Sequence, residues 1–270
     1  MPNIKKSMMA AAGGVGVAPW DLTTLSYIGS KAITGTRAQG FWFSTDGTEM
    51  YINENLKNVD QWSLSTAWDI TSATFTRVQP YTETTASRGV TLSPDGTKMF
   101  ITDAGADDVF RYTLSTPWNI SSEVYHSKAT TGGSLGAGQD ATVQFSSDGL
   151  EMTIFERHAS SGFHQYTLST AYDITSHTKV GAKYTAIANY TMQGFMGWDG
   201  TQALVNYSGI IQSHTFSTPY LMSSGAVDTG NTYNMTAQST NTNSQCGLYV
   251  SPDHKHPYSM AYLVVYQYDF

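Results

Sequence analysis

A two-part signature recurs along the chain at nearly constant spacing. Its first part is an apolar triplet, a Ser or small residue and an Asp-Gly pair. It reads Phe41-Trp42-Phe43-Ser44-Thr45-Asp46-Gly47, Val90-Thr91-Leu92-Ser93-Pro94-Asp95-Gly96, Val143-Gln144-Phe145-Ser146-Ser147-Asp148-Gly149 and Phe195-Met196-Gly197-Trp198-Asp199-Gly200. A decayed fifth copy reads Leu248-Tyr249-Val250-Ser251-Pro252-Asp253-His254, and successive Asp residues lie 49, 53, 51 and 54 positions apart. The second part follows as Leu64-Ser65-Thr66-Ala67-Trp68-Asp69-Ile70, Leu114-Ser115-Thr116-Pro117-Trp118-Asn119-Ile120, Leu168-Ser169-Thr170-Ala171-Tyr172-Asp173-Ile174 and Phe216-Ser217-Thr218-Pro219-Tyr220. Two markers in constant phase define a structural repeat.

Each unit predicts four short strands. In the second copy these are Gly89 to Leu92, Lys98 to Thr102, Val109 to Tyr112 and Glu123 to Ala129, with an Asp-Gly hairpin between the first two. Gly accepts a positive φ without a Cβ clash, and Asp bonds to its own backbone, which suits a tight turn. No segment has helical length and period, although Thr116-Pro117 could cap one helical turn. Four-stranded units of about 50 residues fit the blade of a β-propeller better than a solenoid.

The ends agree. The fifth copy stops at Tyr268-Asp269-Phe270, where the second signature is due, and the missing piece opens the domain as Pro19-Trp20-Asp21-Leu22 and a strand-like Leu25 to Lys31. A ring closed in this way leaves no blade incomplete and covers edges that would otherwise template aggregation. The expectation is an all-β fold: a five-bladed β-propeller of four-stranded antiparallel blades over residues 18–270, its last blade completed by the N-terminal strand. Residues 1–17 are expected to form a flexible arm or docking tail. Their apolar core, Met8 to Ala12, is short for a secretion signal.

Composition removes several classes. Only 14 Lys and Arg stand against 21 Asp and Glu, with no basic run, so nucleic acid is not an expected partner. Charged residues are 13% of the chain, and 29 Ser and 36 Thr carry solubility instead. The single cysteine, Cys246, rules out an internal disulfide and a multi-Cys zinc site. No stretch approaches the apolar length of a membrane span.

The run Ser93 to Asp103, Ser-Pro-Asp-Gly-Thr-Lys-Met-Phe-Ile-Thr-Asp, resembles the bacterial β-propeller repeats typified by a Tyr-Val-Thr-Asn strand, over nearly all of residues 18–270. Together with Leu-Ser-Thr-Pro-Trp-Asn-Ile and the opening Met1 to Gly13, it is similar to predicted structural proteins of tailed phages, particularly of marine bacteria. The resemblance implies a virion component assembled in the host cytoplasm. It would be a tail-associated or attachment module, bound to other virion proteins through residues 1–17 and able to form an oligomer in the particle. A capsid decoration protein and a free, secreted lectin-like propeller are the alternatives.

In such a ring the Asp-Gly turns and the Trp turns share one face, and the opposite face collects the loops that differ between copies. Binding on a repetitive scaffold concentrates where the scaffold varies. Those segments are rich in Thr, Asn, Gln, Gly and Tyr, including Tyr81, Tyr184, Tyr190 and Tyr233. The mix suits neutral, hydroxyl-bearing ligands such as a host-surface glycan, or a polar contact with a neighbouring subunit. At the channel mouth Gln39, Arg88 and Gln193 each precede a Gly on an innermost strand, with Asp140 and Gln245 close to the matching points. They are expected to form a polar ring that holds a ligand, or to bond to one another and to water.

Trp20, Trp68, Trp118, Tyr172 and Tyr220 share one repeat position and are expected to pack blade against blade. Asp21, Asp69, Asn119 and Asp173 after them are expected to cap the turn through their own backbone. The innermost strands contain no acid, whereas glycoside hydrolysis needs two, so no enzymatic activity is expected unless loops supply Glu83 or Glu156. No cofactor and no metal are expected. His254 and His256 are the only close His pair, and Asp103, Asp107 and Asp108 lack the remaining positions of a calcium loop.

Overall fold

The computed structural model describes residues 20–35, 37–54, 57–105, 108–130, 141–156, 162–180, 193–207, 209–238 and 245–270. They form five four-stranded antiparallel sheets. Strand β1 is Ser26–Ala32. Blade 1 is Ala38–Phe43 (β2), Glu49–Glu54 (β3), Asn58–Leu64 (β4) and Ala73–Pro80 (β5). Blade 2 is Ser87–Leu92 (β6), Lys98–Asp103 (β7), Asp108–Leu114 (β8) and Glu123–Thr130 (β9). Blade 3 is Ala141–Phe145 (β10), Glu151–Glu156 (β11), Gly162–Leu168 (β12) and His177–Lys179 (β13), and blade 4 is Gln193–Met196 (β14), Gln202–Tyr207 (β15), Ile210–Phe216 (β16) and Gly225–Asn234 (β17). Blade 5 is Gln245–Val250 (β18), Pro257–Ala261 (β19) and Val264–Asp269 (β20), completed by β1 in antiparallel register from Ser26 opposite Asp269 to Ala32 opposite Val264. The innermost strands neighbour one another around a closed circuit, β2 to β6, β10, β14, β18 and back to β2. The five-bladed propeller is therefore as the repeats predict.

The two signatures meet within each blade. Gly47, Gly96, Gly149 and Gly200 stand at φ between 66° and 74°, and a Cβ on any of them would lie within 2.4 Å of the ring of Trp68, Trp118, Tyr172 or Tyr220. The aromatic residue itself adopts φ between 58° and 67°, and its N–H donates to the glycine carbonyl at 2.8–3.0 Å. The left-handed conformation is unfavourable for an aromatic residue. The ring-on-glycine contact and its hydrogen bond offset that cost. The next residue caps a single 3-10 turn: Asp21, Asp69, Asn119 and Asp173 each accept from the N–H two residues on, at 2.9–3.2 Å. The cap is therefore the Asp or Asn rather than Thr116. Blade 4 has Leu221 at that place and no side-chain cap.

Blades are joined by a repeated hook. Gln61 on β4 accepts from Ile120 N at 3.4 Å and donates to Trp118 O at 3.0 Å, linking blade 1 to blade 2. Gln165 accepts from Met222 N, and Gln267 from Ile70 N, both at 3.1 Å. Arg111 takes the position in blade 2 and lies 3.9 Å from Asp173. In blade 4 the position is Ser213, and Asn231 on β17 does the work instead: it accepts from Leu22 N at 2.6 Å and donates to Trp20 O. Tyr51, buried in blade 1, adds a bond from its hydroxyl to Trp118 O, and Tyr258 does the same to Trp68 O. The repeated aromatics thus serve both their own blade's turn and the joint with the preceding blade.

Candidate functional site

The innermost strands begin at the end of the disc opposite the Asp-Gly turns. At the turn end the axis is closed by rings from three blades. Trp42 lies 6.2 Å from Phe195, 6.0 Å from Trp198 and 5.0 Å from Tyr249, and Trp198 Nε1 donates to Val250 O. Blades 1 and 4 are not neighbours, so the Trp42–Phe195 contact spans the centre.

At the open end the inner strands carry polar groups. Gln39 is buried and sits at a register shift between Ala38 and Gly40. Arg88 is half-buried within the matching shift between Ser87 and Val90, and its Nη1 donates to Ser87 O at 3.2 Å. Ser87 donates to Asn53 Oδ1 at 3.0 Å, and Asn53 Nδ2 donates to Gly89 O at 3.3 Å. On the far side Thr142 donates to Gln193 Oε1 at 2.9 Å. Gln193 is 1% exposed, and its Nε2 has no hydrogen-bond partner among the described residues. A buried donor left unmet costs about 1–3 kcal/mol, so it favours any acceptor that reaches it.

The expected ring is only partly assembled. Gln193 pairs with Asn206 as Gly40 pairs with Asn53, which puts it one residue out of step with Gln39. The Gly that follows Gln193 therefore matches Phe41, not Gly40. Tyr81, expected on the binding surface, is buried, with its hydroxyl on Met99 Sδ at 3.5 Å and its ring 4.9 Å from Tyr112. Its apolar body fills the joint between blades 1 and 2, so it is a packing residue. Tyr233 is half-buried, edge-on to Tyr268 at 5.4 Å. Asp140, Tyr184 and Tyr190, and also Asp107 and residues 1–17, lie outside the described residues.

Of the acids at this end, the sequence marks Glu156 as a loop acid and Asp103 as a calcium candidate, and leaves Glu54 unmarked. Glu54, Asp103 and Glu156 each end the second strand of their blade, eight residues after the turn aspartates Asp46, Asp95 and Asp148. Aligning the repeats on those aspartates groups the three. Asp103 is fully buried and gathers Thr85 N and Oγ1, Ala86 N and Gly105 N, which fixes the segment entering blade 2. Asp108 holds Lys128 and Thr130, each at 2.6 Å. Burial, reinforced by Glu54, pushes the Asp60 carboxyl up to about 6. His254 and His256 sit on the turn face with separate partners, Trp20 Nε1 at 3.1 Å and Asp269 Oδ1 at 2.7 Å. Among the described residues there is no cluster of three or more metal-ligating side chains, and no helix long and apolar enough to cross a membrane.

No family model and no curated protein matches the chain. Many solved structures do. A functionally unknown protein from Desulfotomaculum acetoxidans is 12% identical with a TM-score of 0.50, over 84% of this chain and 64% of its own. Two proteins named putative 6-phosphogluconolactonases, from Bacteroides uniformis and Bacteroides fragilis, are 14% and 11% identical with TM-scores of 0.47 and 0.48. They are covered over 73% and 77% of this chain and 55% and 59% of theirs. The chain thus spans less than two thirds of the length of each. At these identities the likeness is one of fold alone. With proteins of similar fold named putative lactonases, the expectation that the chain is not an enzyme is withdrawn. That expectation weighed the innermost strands and the loop candidates Glu83 and Glu156, whereas Glu54, Asp60, Asp103 and Asp108 stand on second and third strands at the open end.

Proposed function

We propose that this chain is a virion structural protein of a tailed phage. It acts as a tail-associated or attachment module that recognises a neutral, hydroxyl-rich ligand, such as a host-surface glycan, at the open end of the propeller. The observation that carries this reading is the inequality of the two ends. The turn end repeats the same hydrogen bonds through blades 1 to 4 and is plugged by Trp42, Phe195, Trp198 and Tyr249. The open end holds side chains that differ between blades, among them the unmet Gln193 donor. The resemblance of Ser93 to Asp103 and Met1 to Gly13 to phage proteins supports the virion setting.

Two experiments test it. Purified protein should bind host cells and lose that binding when cell-surface sugars are oxidised with periodate. Deleting residues 1–17 should leave the fold and the cell binding intact but abolish incorporation into particles. Equal binding to oxidised cells contradicts glycan recognition, and normal incorporation of the truncated chain contradicts the docking role.

A further inference from the structure

The fifth blade differs from the others at one turn position. Where blades 1 to 4 have glycine, blade 5 has His254, held at φ 64°. The aromatic partner also differs: the N–H of Trp20 donates to Gln202 Oε1 at 2.9 Å. Its indole Nε1 reaches across to His254 Nδ1 at 3.1 Å, with ring centroids 5.5 Å apart. An indole nitrogen can only donate, so His254 Nδ1 must be the acceptor and carry no proton. An imidazolium, with a proton on both nitrogens, cannot make this bond.

We propose that the seam closing the ring is an acid-sensitive clasp, in which protonation of His254 breaks its bond with Trp20 and loosens β1 from β20 before the other blades loosen. The groups facing His254 are Trp20 from the N-terminal segment, Asp199 from the turn of blade 4 and Asp253 on its own turn, with Lys255 and His256 following on the same hairpin. Burial lowers the pKa of His254, and the two aspartates oppose that shift without cancelling it. Because the folded state favours the neutral ring, the stability it contributes is present at neutral pH and is lost as pH falls below the ordinary imidazole range. His256 on the same hairpin reaches Asp269 on β20 from its Nδ1 at 2.7 Å and does not touch Trp20 in this way. No other blade has this arrangement, because each of their turns carries a glycine at that position.

Hydrogen exchange of the full chain, read as protection factors strand by strand at about pH 7 and about pH 4.5, tests the clasp. On acidification β1 and β20 should lose about tenfold more protection than β5 and β9, the scale set by one buried hydrogen bond. His254→Asn keeps a carbonyl acceptor, tolerates positive φ and does not titrate, so the excess loss should disappear. Trp20→Phe should show the loosened seam already at neutral pH, with no further excess in acid. His256→Gln should retain the excess. Equal loss in all outer strands, or an undiminished excess in His254→Asn, would overturn the proposal.

Discussion

The two ends of the propeller are made from the same strands and solve different problems. At the turn end blades 1 to 4 repeat one arrangement, from which blade 5 departs only at His254 and Trp20. An aspartate accepts from the backbone two residues on, a glycine lies under an aromatic ring, and the ring's backbone bonds to that glycine. Burial raises the Asp46 and Asp95 carboxyls, but the bonds from Ser44, Thr48, Ser93 and Thr97 outweigh it and hold both below the usual carboxylate range. At the open end each blade differs. Asn53 clasps the next inner strand in blade 1, Asp103 gathers a loop in blade 2, and Gln193 meets Thr142 between blades 3 and 4. Repetition at one end supplies stability, and that frees the other end to vary.

The contrast can be broken at the plug. Trp42→Ala leaves a cavity where Phe195, Trp198 and Tyr249 converge, and is expected to cost about 3–5 kcal/mol in denaturant unfolding. Gln61→Ala removes the hook to Ile120 and Trp118 and should cost about 1–3 kcal/mol by the same measurement. Both changes lie away from the open mouth, so the folded variants should still bind host cells. Arg88→Ala should do the reverse. Cell binding should weaken by about tenfold, the scale of one charge-assisted contact, while the unfolding midpoint moves far less than for Trp42→Ala. Unaltered binding in Arg88→Ala would make the mouth merely structural.

Smaller effects sharpen the same picture. Leu221→Asp restores the cap that the other four turns possess, and should stabilise blade 4 by about 0.5–1 kcal/mol, measured as a raised unfolding midpoint. Asp60 tests the open end through pH. Its carboxyl, pushed up to about 6 from 3.8, is disfavoured as an anion by folding, so its penalty is complete above that value and relieved below it. Asp60→Asn should therefore raise the thermal midpoint at neutral pH, with the gain fading as pH falls from about 6 towards 4. A gain that persists in acid would show that the anion is not the cause.

Much of the scaffold can be read from residue order because it rests on local rules. Asp-Gly demands a tight turn, the period counts the blades, and the displaced Trp20-Asp21-Leu22 points to the closing strand. The joints are less accessible. Gln61, Gln165 and Gln267 form one series, but Arg111, Ser213 and the substitute Asn231 break it, and nothing local marks Asn231 as the replacement. Gln193 misleads because a Gly follows it, as one follows Gln39, while strand pairing sets it one residue away. Tyr81 lies in a loop by sequence yet fills a gap between two blades, a role fixed by Met99 and Tyr112 from a distant strand pair. The acid Glu54 escapes a search confined to innermost strands, although its distance from the turn aspartate, shared with Asp103, is visible once the copies are aligned.

A side-chain-resolution map of the intact phage particle tests the central claim most directly. The account predicts this chain in the particle, with residues 1–17 against another virion protein and the end bearing Gln39, Arg88 and Gln193 facing outward. A particle without the chain, or one in which that end is buried against other virion proteins while the Asp-Gly turns face solvent, would contradict it.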